Sequence, residues 1–241
     1  MCPQLRLSIK INLSIFMKNN LIGIVAISVV MASCKLDSTV QPEIIIDPIP
    51  YQVTRDSVET GSYLGININE NAADAYSKIQ ALQSLKGVAF LNIVSNTYSD
   101  LGQLQERLPL YEYILLDQKQ GTDSGVQITI EGQTVKAIYL NSGTKLNQWP
   151  AKLKENSSVR IGDHVNSLYQ KLANIRQLSS YSNKFERISL LTKNLATPYD
   201  LGMTRSPQWY FTYPTGPKQM DEIQLHFKEG KVSKIYINHY R

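Results

Sequence analysis

The stretch "VQITIEGQTVKAIYLN" (Val126–Asn141) lies without a gap over "IQLHFKEGKVSKIYIN" (Ile223–Asn238), at an offset of 97 residues. Five pairs are identical: Gln127/Gln224, Val135/Val232, Ile138/Ile235, Tyr139/Tyr236 and Asn141/Asn238. Working outward, "INENAADAYSKIQAL" (Ile68–Leu82) matches "IGDHVNSLYQKLANI" (Ile161–Ile175) at an offset of 93. Between these matches Asp100-Leu101-Gly102 recurs as Asp200-Leu201-Gly202. Near-constant offsets at three separate places mark a tandem duplication.

Both copies read alike. A helix opens at Asn69 or Asp163, whose side chains can accept from the free amides of a first turn. Apolar residues then recur at helical spacing: Ala72, Ala75, Tyr76, Ile79 and Leu82 in one copy, Val165, Leu168, Leu172 and Ile175 in the other. A helical or irregular stretch follows, then the strands "LYEYILL" and "QWYFTY". The closing hairpins are expected to turn at Glu131-Gly132 and Glu229-Gly230. Val126, Ile128 and Ile130 alternate with Gln127, Thr129 and Glu131, as Ile223, Leu225 and Phe227 do with Gln224, His226 and Lys228. Helices followed by antiparallel meanders predict an α+β fold, with helices packed on one sheet face and a polar, tyrosine-bearing face left open.

In copy two, "IGDHVNSLYQKL", "LATPYD", "QWYFTY" and "LHFKEGKVSKI" resemble the β-lactamase-inhibitor-protein-like (BLIP-like) unit, a group that includes the SmpA/OmlA outer-membrane lipoproteins. Copy one departs from it in lacking the Trp and the Gly-Lys-Val turn. The resemblance spans roughly 63–240 and implies two such units, 61–145 and 146–241, which bind protein through an aromatic sheet surface.

The start of the chain points to an address. Leu21–Met31 is an apolar run of 11 residues, short of the roughly 20 that span a bilayer. It follows the basic Lys18-Asn19-Asn20 and precedes small residues, the layout of a signal peptide over 1–33. Met31-Ala32-Ser33-Cys34 resembles the lipobox of bacterial lipoproteins. That resemblance implies cleavage before Cys34 and acylation of its thiol, with palmitate as one probe of the modification. Met17 is the expected true start. A lipid anchor contributes about 0.8 kcal/mol per buried CH₂. Residues 34–60, with Pro42, Pro48 and Pro50, read as an extended tether in which Ile44-Ile45-Ile46 can add an edge strand. The expected location is the outer membrane, on its periplasmic or cell-surface side.

Composition narrows the chemistry. The chain carries 25 Lys+Arg against 20 Asp+Glu, a net charge of +5. Residues 1–33 hold Arg6, Lys10 and Lys18 and no acid, which leaves 22 basic residues and a net charge of +2. A nucleic-acid partner is therefore not expected, because such domains cluster their basic residues on one face. With Cys34 acylated and Cys2 in the leader, no thiol remains for a disulfide, a metal or nucleophilic attack.

Asp123-Ser124-Gly125 resembles one aspartic-protease loop, but that chemistry needs two carboxylates sharing a proton, and no second Asp-Ser/Thr-Gly occurs. His164, His226 and His239 have no metal-ligand spacing. No catalytic residue, metal or cofactor is expected, and the chain reads as a non-enzyme. The partner-binding candidates are Tyr139, Tyr236, Tyr111, Tyr113, Trp209, Phe211 and His226. Tyr139 and Tyr236 are placed on the open face; for the Trp209 strand a period of two permits either sign. The leading reading is a protein-binding lipoprotein, an assembly accessory or inhibitor. The alternative is a carbohydrate- or peptidoglycan-binding module, marked by a narrow groove flanked by carboxylates. An extracytoplasmic hydrolase would need a pocket with paired carboxylates or His226.

Overall fold

A computed structural model describes residues 53–241. The expected leader, the Met17 start, Cys34 and the Ile44-Ile45-Ile46 triplet lie outside the described residues. In chain order the main elements are β1 (Val53–Val58), α1 (Ala72–Lys86), β2 (Leu91–Ile93), β3 (Thr97–Tyr98), β4 (Tyr111–Asp117), β5 (Val126–Glu131), β6 (Thr134–Leu140), β7 (Lys145–Leu146), α2 (Leu168–Arg176), β8 (Arg187–Lys193), β9 (Gln208–Gly216), β10 (Gln219–Lys228) and β11 (Lys231–Tyr240). The strands form one 11-stranded sheet in the order β1-β11-β10-β9-β2-β8-β4-β5-β6-β7, with β3 also paired to β8. Every pairing is antiparallel.

This architecture corrects the expectation of a helix-packed α+β tandem. Among the described residues two α-helices, of 15 and 9 residues, accompany a sheet that dominates the fold. The stretch read as helical or irregular is where the expectation fails. In "RISLLTK" the buried Ile188 and Leu190 share one side of the strand and Arg187, Ser189 and Leu191 the other, a period of two, although Ser189 is buried as well. It forms β8, and the matching stretch of copy one forms β2. Much of the core outside the sheet comes from 3₁₀ turns and loops, through Leu101, Leu104, Leu108, Phe185 and Met203.

The two copies exchange parts. Strand β2, from copy one, pairs with β9 of copy two, and β8, from copy two, pairs with β4 of copy one. The helix starts follow the same rule. Ala72 donates to Gly230 O at 2.9 Å, Val232 to Glu70 O at 2.8 Å and Asn69 to Val232 O at 2.8 Å. Val165 donates to Gln133 O at 2.9 Å, Val135 to Asp163 O at 2.9 Å and Gly162 to Val135 O at 2.8 Å. These are the same three bonds displaced by 93 residues on the helix side and 97 on the hairpin side, so each helix start is tied to the other copy's hairpin. One module is thus continuous, the β4–β6 meander followed by α2 and β8. The other joins α1 and β2 to the C-terminal meander. Asn92 and Thr192 face each other where the modules meet, and Thr192 Oγ1 donates to Asn92 Oδ1 at 2.9 Å.

Local chemistry explains the elements. In α1, Asn71 accepts from the Asp74 amide at 2.9 Å, and Gly87 ends the helix at φ 69°. The hairpin of copy two turns at Glu229-Gly230, both at positive φ, whereas that of copy one turns at Gly132-Gln133, one residue later than expected. Strand β1 lies within the expected tether. Among the described residues it pairs with β11 alone, and Arg55 and Asp56 at its centre are charges that oppose edge-to-edge pairing.

His239 fastens β1 to its neighbours. Its Nδ1 lies 2.8 Å from Asp221 Oδ1 and its Nε2 3.1 Å from Asp56 Oδ2, and Arg241 also donates to Asp221. Its hydrogen bond to Asp221, followed by that to Asp56, holds the imidazolium above the usual histidine range, while burial and Arg241 oppose this. Between the unfolded and folded pKa values the native state therefore binds more protons, so this contribution is full below about pH 6.5 and is lost as pH rises through the folded value. Urea unfolding at a series of pH values should show the advantage of wild type over His239→Gln shrinking toward alkaline pH. A constant difference would refute the linkage.

Candidate functional site: the open sheet face

A row of directly opposed residues crosses the sheet: Ser57, Tyr236, Gln224, Tyr210, Asn92, Thr192, Tyr113, Thr129 and Ala137. Opposed residues share a face. From Tyr236 to Ala137 all are half-buried, and they point away from the aliphatic layer of Ile128, Ile138, Leu225 and Ile235. Tyr139, opposite Gln127 and Lys145, is half-buried on this side as well.

The candidates from the sequence divide between the two faces. Trp209 and Phe211 belong to the core, opposed to Leu225 and Ile223, and Tyr213 follows them. The Trp209 ring packs 4.4 Å from Phe227 and 6.3 Å from Tyr199, centroid to centroid. Tyr111 is also buried, although Tyr113, two residues on, faces out. The register shifts between β4 and β8 set two residues against one at Glu112, a bulge that breaks the alternation. Trp209, Phe211 and Tyr111 therefore contribute nothing to a surface platform. Tyr210 joins the face instead. The signal for it was parity: with Trp209 inside, its neighbour must point out.

Tyr236 is on the face but already occupied. Arg55 lies 5.3 Å and Lys234 4.6 Å from its ring centre, and His226 stands edge-on at 5.2 Å. His226 Nε2 is buried without a partner, and burial, reinforced by Lys234 and Arg55, lowers its pKa. His164 caps a helical turn through the Asn166 amide and His239 sits at β1, so the histidines do not converge. Ser124, of the Asp123-Ser124-Gly125 turn, accepts from Lys184 Nζ at 2.6 Å.

The centre of the face holds two adjoining depressions that share Asn92, Tyr113 and Thr192. One, of about 470 Å³, is also lined by Phe90, Glu112 and Glu131, and the other, of about 430 Å³, by Tyr210. Burial first, and Glu131 second, raise the Glu112 carboxyl, with Lys193 opposing. Hydrogen bonding, ring stacking and charge are the chemistry these groups offer: Glu112 and Glu131 are a pair of carboxylates such as a hydrolase or a glycan groove would require, and His226 is not among the residues that line the depression with them. Among the described residues no three or more His, Cys, Asp or Glu are grouped to hold a metal ion, and no helix is long and apolar enough to cross a membrane.

Beneath this face a buried polar network that the sequence did not announce joins the copies. Asp200 accepts from Arg107 Nε at 2.9 Å and Nη2 at 2.7 Å, from Tyr111 Oη at 2.6 Å and from the Gly202 amide at 2.9 Å. Tyr98 and Asn96 extend it. Burial alone would raise the Asp200 carboxyl, but Arg107, Tyr111 and Gly202 together hold it below its ordinary value. Burial pushes Lys193, whose ammonium lies 5.2 Å from the Tyr76 ring, down to about 8. A Cβ at Gly202 would fall on the Arg107 guanidinium and the Tyr98 hydroxyl. Gly202→Ala should therefore cost about 1–3 kcal/mol in urea unfolding, since overpacking displaces well-fitted groups; an unchanged midpoint would contradict that fit. Set beside known protein families, curated proteins and solved structures, the chain matches none.

Proposed function

We propose that this chain is an envelope lipoprotein, anchored through Cys34, whose open sheet face is a non-catalytic docking surface for a protein partner. The carrying observation is the row from Tyr236 to Thr129, half-buried and rich in tyrosine, on the face opposite the aliphatic core. Interfaces favour tyrosine because one side chain supplies a large apolar ring and a hydrogen-bonding tip at small conformational cost. The lipobox-like Met31-Ala32-Ser33-Cys34 supports the anchor, and the BLIP-like resemblance points to protein binding.

The surface is tested by comparing the envelope proteins captured by the full chain with those captured by a Tyr113→Ala/Tyr210→Ala variant. The variant should lose specific partners while keeping its fold by circular dichroism; identical capture lists would sink the open-face reading. For the anchor, palmitate labelling should disappear in Cys34→Ala. Unchanged labelling would refute it.

A further inference from the structure

We infer that the depression around Phe90, Glu112, Tyr113 and Glu131 is an anchor pocket for a basic side chain, arginine above all, on an extended segment of the partner protein. This rests on the open-face reading and names the partner's chemistry. The first argument is charge complementarity. Among the described residues, the buried and half-buried carboxylates have their own partners. Glu70 pairs with Lys78, Asp117 with Arg187, Asp163 with Lys171, Asp200 with Arg107 and Asp221 with Arg241. Glu222 accepts from the amides of Gln224 and Asn238. Glu112 alone has neither an ion pair nor a hydrogen bond, and the carboxylate that lines the depression with it, Glu131, repels it. Lys193 offsets part of that charge from below, but it is fully buried and its ammonium is bonded to Asn194 and Thr197.

The second argument is the aromatic wall. Elsewhere the protein seats its own cations on its rings: Arg55 and Lys234 at Tyr236, Arg107 and Arg205 at Tyr98, Lys193 at Tyr76. Phe90, 54 % exposed, and Tyr113 line the depression and, among the described residues, no cation lies on either ring. A guanidinium fits both features, because its planar fork can reach two carboxylates while its face lies on a ring. The Asn92 amide group, whose oxygen is taken by Thr192, can donate to a backbone carbonyl of the same segment. A neutral sugar would stack as well, yet would leave the repulsion between Glu112 and Glu131 in place. An anion would add to it.

The test measures fluorescence anisotropy of a labelled Ser-Arg-Ser-Arg-Ser peptide, and of its citrulline counterpart, with the full chain. The arginine peptide should bind and the citrulline peptide, isosteric but neutral, should not. Glu112→Gln and Phe90→Ala should each weaken binding about tenfold or more, whereas Glu155→Gln, the same charge change at a distant exposed site, should stay within about twofold. Glu112→Gln removes a repulsion and should keep the fold, checked by circular dichroism; Glu131→Gln, at an exposed position, gives a second reading of the same pocket. Equal binding of both peptides would overturn the inference. So would an equal loss in Glu155→Gln, or displacement of the peptide by chitotriose, which would mark a glycan site. If one of these occurs while Tyr113→Ala/Tyr210→Ala still changes the captured partners, the open face stands and the arginine pocket falls.

Discussion

Replacing Arg107 by Ala should cost about 3–5 kcal/mol of stability, the range for removing one partner of a buried ion pair. The loss would come mainly from what is left behind. Asp200 is 5 % exposed and accepts from both Nε and Nη2 of the guanidinium, so truncation strands a carboxylate that water hardly reaches. Tyr111 and the Gly202 amide would still donate to it, but neither carries charge. Urea unfolding of wild type, Arg107→Ala, Asp200→Asn and the double variant should show strong coupling, with the double change costing much less than the sum. The pH dependence should change too. Asp200 is held below its ordinary value in the native state, so its contribution is present above the unfolded carboxylate pKa and lost as pH falls through the folded value. Arg107→Ala should flatten that acid limb. A cost below about 1 kcal/mol would class the pair with surface salt bridges and remove its role as a latch.

The latch matters because Arg107 comes from the first copy and Asp200 from the second. Exchange of β2 and β8 already commits each meander to a strand from the other copy. The network fixes the same commitment in the core, where a mispaired arrangement would bury the charge of Asp200 alone. The repeated "DLG" is legible in the sequence, and in both copies the Asp caps its own turn by accepting from the Gly amide. The difference is not legible. Asp100 is exposed and meets Arg176 at 3.5 Å, whereas Asp200 is buried under Arg107. Identical motifs thus take different weights through contacts far along the chain.

The same division runs through the fold. The hairpins could be read because their alternation and turns are local, and the repeat was visible because both hairpins keep that pattern. Which hairpin each helix start would grip could not be read, since local periodicity is the same for a self-contained and an exchanged pair. Strand β2 is three residues long and has no hairpin turn of its own, so only its partners define it. Strand β1 is polar and mostly exposed, with nothing in "VTRDSV" to separate it from a tether. At Tyr111 and Tyr113 alternation misled, because the bulge at Glu112 turns neighbours of equal parity to opposite sides.

Trp209 and Tyr210 give the sharpest test of that face assignment, because adjacent residues should respond in opposite ways. Trp209→Ala should lose about 3–5 kcal/mol, the range for deleting a fully buried large aromatic. Its ring fills the space between Phe227 and Tyr199 in the core beneath β9. Tyr210→Ala removes a half-buried ring with no packed partner layer above it and should cost about 1 kcal/mol or less. In partner capture the order should reverse at temperatures where both variants are folded. Tyr210→Ala should lose binding, because it takes a wall from the depression shared with Asn92 and Thr192. Trp209→Ala should retain it as long as the sheet holds. Were Trp209→Ala to bind poorly at full stability, the aromatic stripe would have to lie on the surface. The core packing of Phe211 and Tyr213 on the same strand would then have no explanation, since three residues of one parity cannot be split without a bulge. The only register shift recorded in β9 comes later, between Pro214 and Gly216.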